Sequence, residues 1–249
     1  MSENSIYDFF VNEQSEYQRT SRQYKDSLFR SLFKDKKRFL ELYNAIADEG
    51  FAEGIDIMQC PTSPIMAMFN DIAFLLGSRL IVMCEHQSSL NPNMPLRFLF
   101  YIADILRAYA LDKDNIYKST MVQIPTPEFF VLYNGKDILE KRTMVISDAF
   151  IIKNRKFTLE LTAKVININY DNSDDEVKRS ATLNGYSFLI AEVEKNLRSG
   201  LSRDEAIIKV IKTCIELRIL ADYLKDNFKG VVDMLSIEYD HEAERRAMR

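Results

Sequence analysis

NDIAFLLGSRLIVMCEHQ, residues 70–87, is the stretch that decides the fold. An apolar run from Ile65 to Leu76 meets a second one, Leu80 to Cys84, across Gly77-Ser78-Arg79. That pattern predicts neighbouring strands joined by a tight turn. Both faces of the second run are apolar, Ile81 and Met83 on one and Leu80, Val82 and Cys84 on the other, so it reads as a central strand covered on both sides. Two carboxylates interrupt the pattern: Asp71 near the start of the Ile-Ala-Phe-Leu-Leu segment and Glu85 at the end of Leu-Ile-Val-Met-Cys. A charge attached to a segment that demands burial needs a partner or must bind a metal. Turn length decides whether the two meet. With Gly77 to Arg79 as the loop, Leu76 faces Leu80 and Asp71 falls opposite Glu85 on one face. A two-residue turn pairs Asp71 with Cys84 and separates the carboxylates. A three-residue loop containing Gly, or a bulge near Asn70, serves to bring them together. Gln87 joins Glu85 by alternation, and His86 then points the other way as a packing histidine. Hard oxygen ligands of this kind suit Mg²⁺ or Mn²⁺.

Outward from this hairpin, apolar residues at three- and four-residue spacing predict one amphipathic helix from Tyr24 to Asp48, ended by Gly50 and Gly54. Pro95 is placed to start a second helix, Leu96 to Leu111. Phe129 to Tyr133, closed by Asn134-Gly135, and Leu159 to Tyr170 read as strands. From Asp174 the chain reads as helical to a stop at Ser199-Gly200. Ser202 and Glu205 then form a capping box for a last long helix with Ile207, Val210, Ile211, Cys214, Ala221 and Leu224 on its apolar face. The predicted division is a polar segment 1–22, a core 23–172, and a helical lobe with a charged tail 173–249.

Composition narrows the function classes. Three cysteines without CxxC spacing and two histidines imply neither a disulfide framework nor a zinc site. The polar, acidic start and the lack of a long apolar run predict a cytoplasmic protein that engages no membrane. A net charge of −4 gives the whole molecule no general attraction for nucleic acid. Arg19 to Arg38 is the exception, with eight basic residues against two acidic ones (Asp26 and Asp35), either a solvated helix face or a face that contacts phosphates.

The segment 70–106, with its ND, EHQS, NPNMPLR and YI elements in order, resembles the Rpn-type family of recombination-promoting nucleases, also described as transposases, which carry a PD-(D/E)XK nuclease core. KDSLFRSLF upstream, TPEFFVLYNG and ISDAF downstream extend the resemblance over roughly residues 24 to 240. The resemblance implies an α/β fold with an αβββαβ core and a helical C-terminal extension, and magnesium-dependent cleavage of DNA linked to recombination, mobile elements or defence. It puts the metal-binding pair on Asp71 and Glu85 and the third catalytic position on Gln87, where the wider superfamily usually has lysine. A neutral amide can orient water or phosphate but supplies no positive charge. Lys25, Arg30 and Arg97 are the candidate DNA-binding residues. Arg97 is equally suited to reach a phosphate or to anchor the loop before it, and Lys25 and Arg30 are placed on a helix surface. Two rival readings remain: a catalytically weak nuclease fold that binds DNA, and a self-associating module, with a homodimer through the C-terminal helices.

Overall fold

In the computed structural model the described residues are 27–47, 49–52, 54–60, 72–111, 116–117, 119–139, 142–153, 156 and 158–247. They form an α/β molecule of two compact units. The first comprises Gly54–Leu132 and Lys136–Val165; the second takes 26–53, 133–135 and 166–249.

The first unit is built on a mixed six-stranded sheet of order β1-β2-β3-β4-β6-β5, with β1 Ile57–Gln59, β2 Ile72–Leu76, β3 Leu80–Gln87, β4 Thr126–Tyr133, β5 Thr143–Val145 and β6 Thr162–Asn167. Gly77 and Ser78 both take left-handed backbone angles (φ +53° and +56°), and that reversal returns the chain directly onto itself. The resulting register pairs Leu76 with Leu80, Phe74 with Val82 and Ile72 with Cys84, so the turn is the three-residue one. β1 adds to the outer side of β2 with Ile57 opposite Leu76. Thr126 N donates to Arg79 O at 2.8 Å, which sets the start of β4 beside the start of β3 and makes the pair parallel. Helix α3, Met94–Leu111, is the crossover between them, and it packs on the sheet with the Phe98 and Phe129 rings 5.1 Å apart. β3 is buried on both faces from Ile81 to Glu85, as expected for a strand with neighbours on each side. β5 closes the far edge against β6.

The second unit is helical. The helix expected over 24–48 is two in the described residues, α1 Leu28–Phe33 and α2 Lys36–Ala47, because Asp35 accepts from Arg38 N at 3.0 Å and so starts a new helix instead of continuing the old one. After β6 come α4 Asp175–Arg179, α5 Ala181–Arg198, α6 Arg203–Glu216, α7 Ala221–Asp226 and α8 Phe228–Ala247. The capping box of Ser202 and Glu205 is present at the start of α6. The single long helix expected to carry Ile207 to Leu224 is two, α6 and α7, since Arg218 and Leu220 take left-handed backbone angles (φ +60° and +52°) that break the hydrogen-bond ladder. No described helix is long and apolar enough to cross a membrane.

Candidate functional site

Glu85 is the last buried residue of β3, 2% exposed, on a strand that carries on for two more residues. The segment after it, Ser88 to Asn93, turns the chain into α3. Asn91 does this twice: its side chain accepts from Asn93 N at 2.9 Å and its carbonyl accepts from Met94 N at 3.1 Å. One turn into that helix stands Arg97. Its Nη2 donates to Glu85 Oε2 at 3.1 Å and to Tyr101 Oη at 3.0 Å, Nε also reaches Tyr101 Oη at 3.3 Å, and Nη1 lies 3.2 Å from Met94 Sδ. Met94 and Tyr101 are buried, so the guanidinium is held by two residues of its own helix and reaches Glu85 of β3.

This ion pair joins a carboxylate that is almost wholly buried to an arginine whose side chain is 27% exposed. The arginine side chain is therefore partly open to solvent while its partner is almost closed off. Of the two roles open to Arg97 in the sequence, phosphate contact or loop anchor, the described structure adds a third, the counter-charge of Glu85. The sequence signal for it was the i,i+4 spacing of Arg97 and Tyr101 behind Pro95.

Gln87, half-buried, shares Glu85's side of β3 by alternation. His86 takes the opposite side; part of the residue is open to solvent, but its ring is densely surrounded and burial pushes its pKa down to about 4, as expected of a packing histidine. Asp71 and Lys25 lie outside the described residues, and the described register of the hairpin ends with Ile72 opposite Cys84. Arg30 belongs to the helical unit and is 8% exposed, so the surface role expected of it is replaced by a buried one. Lys34, Lys36 and Lys37 are exposed, and Arg38 stacks 4.9 Å above the Tyr223 ring. Among the described residues no three His, Cys, Asp or Glu side chains come together as a metal cluster, a set that leaves Asp71 aside.

No family model, no curated protein and no solved structure matches the chain.

Proposed function

We propose that this protein is a metal-dependent DNA endonuclease whose site lies at the end of β3. The observation that carries the reading is the three-residue turn of the β2–β3 hairpin: pairing Leu76 with Leu80 is the register that, continued by one residue beyond Ile72, brings Asp71 opposite Glu85. The order helix, three strands, helix, strand seen from α2 to β4 supports a PD-(D/E)XK core.

Asp71 and Glu85 would hold the cation. The donor chemistry fits a small hard ion: a carboxylate offers about four lone-pair directions, so the Arg97 contact at Glu85 Oε2 does not exhaust it. Bound Mg²⁺ or Mn²⁺ supplies Lewis acidity and charge neutralisation at a phosphodiester. Arg97 holds Glu85 in place through this contact, and its partly exposed side chain offers donors to a phosphate oxygen. Gln87, with one carbonyl and two N–H donors, orients water or the phosphate by hydrogen bonds.

The Glu85–Arg97 pair also favours a second reading. A buried carboxylate already balanced by arginine satisfies the electrostatic requirement without a metal, and the fold then serves as a DNA-binding module that does not cut.

Incubation of supercoiled plasmid with the purified protein in Mg²⁺, Mn²⁺ or EDTA separates the two. Glu85→Gln is the variant of choice because it keeps the shape and a hydrogen bond to Arg97. Metal-dependent nicking by the wild type, lost by a factor of at least about 100 in Glu85→Gln, is the expected result. Equal inertness of both proteins with DNA still bound moves the second reading to first place.

A further inference from the structure

We infer that Arg30 and Lys34 form a receptor for a phosphate group in the helical unit. Arg30 is 8% exposed, its Nε is fully enclosed without a hydrogen-bond partner, and among the described residues its guanidinium makes no ion pair. An arginine stem is commonly buried with its head in water. Here the enclosure extends into the head group itself, where an uncompensated charge costs several kcal/mol. Such a group calls for an anion.

Lys34 stands beside it. Lys34 N donates to Arg30 O at 3.0 Å, so the chain is still helical at this point and the two residues share one face of α1. Lys34 is exposed, with no ion pair among the described residues. Like charges four residues apart disfavour a helix, and among the described residues neither cation forms an ion pair with a carboxylate. The neighbouring Asp35 accepts from Arg38 N at 3.0 Å, and Glu41 accepts from Ser180 and Thr182. Ser31 Oγ accepts from the Tyr223 hydroxyl at 2.6 Å. Among the described residues, these polar groups have paired with one another and not with the two cations.

A planar guanidinium takes two oxygens of a tetrahedral anion side by side, and an ammonium at the rim takes a third. Two positive charges match a phosphate better than a single carboxylate. Phosphate comes free or in a nucleic acid backbone, and the site's chemistry is common to both. The inference stands independently of the nuclease reading, and its test does not involve cleavage.

Thermal unfolding and titration calorimetry in a phosphate-free buffer test it, with inorganic phosphate, a short DNA duplex and acetate as separate additions to wild type and to Arg30→Met. Phosphate or duplex raises the melting temperature of the wild type by several degrees, acetate does not, and Arg30→Met weakens binding at least about tenfold. A duplex effect that falls steeply with salt identifies the backbone as the source, whereas an effect of inorganic phosphate alone identifies the free anion. The Arg30 Nε–H resonance of the wild type reads the same contact without any substitution and shifts as phosphate is added. A wild type indifferent to both ligands, an equal response to acetate, an undiminished response in Arg30→Met, or an unmoved Nε–H resonance overturns the inference.

Discussion

Glu85 and Arg97 are the residues at which the strand's demand for burial and the carboxylate's demand for a counter-charge are reconciled, at 3.1 Å. The requirement for a partner was legible in the sequence, because Glu85 closes a run of Leu-Ile-Val-Met-Cys. The partner's identity was not: Arg97 comes from the helix that follows, and its reach depends on how that helix lies on the sheet. Cys214 shows the same logic for a neutral group. It is completely buried in α6, and burial, with a smaller contribution from the Glu192 charge, pushes its thiol up to about 12. The folded state holds the proton more tightly than the unfolded chain, whose thiol titrates near 9. Stability from this residue is therefore complete below pH 9 and is lost between pH 9 and 12, at up to about 1.4 kcal/mol per pH unit. Urea melts from pH 8 to 11 are expected to show a shallower alkaline decline in Cys214→Ala than in the wild type, whatever the offset between the two at pH 8.

At the scale of the element, turn and cap chemistry governs where regular structure stops. Gly77 and Ser78 make the hairpin loop three residues long, which fixes every pairing from Leu76 with Leu80 to Ile72 with Cys84. The apolar periodicity of 24–48 correctly predicts helix but runs through the break, because Leu28, Phe29, Leu32, Phe33, Phe39 and Leu40 are buried on both sides of it. Asp35 makes the difference by offering its side chain to Arg38 N at 3.0 Å. Asp35→Ala leaves that donor to water and is expected to cost about 1 kcal/mol, seen as a drop of a few degrees in a circular-dichroism melt. Asp35→Asn or Asp35→Ser, which retain an acceptor, are expected to recover most of it.

Across the whole molecule, the helices before the sheet and the helices after it form one unit. The sequence reading grouped 23–172 together and set 173–249 apart, whereas residues 26–53 are gathered with 166–249 in the structure. Glu41 of α2 is a principal tie: one carboxylate oxygen accepts from Ser180 Oγ at 2.8 Å and Thr182 N at 2.9 Å, and the other from Thr182 Oγ1 at 2.8 Å. Arg179 Nη2 adds a bond to Ala45 O at 2.8 Å. Ser180 is fully buried and also caps α5 by accepting from Leu183 N at 3.0 Å, so losing Glu41 strips the start of that helix. Glu41→Ala is expected to destabilise the protein by about 2–4 kcal/mol, from unpaired hydroxyl and amide donors in a part-buried contact. A lowered urea midpoint measures it; a midpoint within error of the wild type would mean that water replaces the carboxylate at no cost.

By itself the sequence determined the local alphabet: two strands meeting at Gly77-Ser78-Arg79, a helix behind Pro95, a capping box at Ser202 and Glu205, and a carboxylate in a place where a charge needs company. Those features are written in spacing and in side-chain chemistry that act over a few residues. Tertiary structure alone decided that β1 and β5 are strands, since three-residue edges owe their existence to the neighbours they pair with. It decided too that Arg97 neutralises Glu85, that Arg30 is buried without a partner among the described residues, and that α2 belongs with α5. Each of these is a contact across the chain, and spacing along the chain holds no record of which distant group arrives to make it.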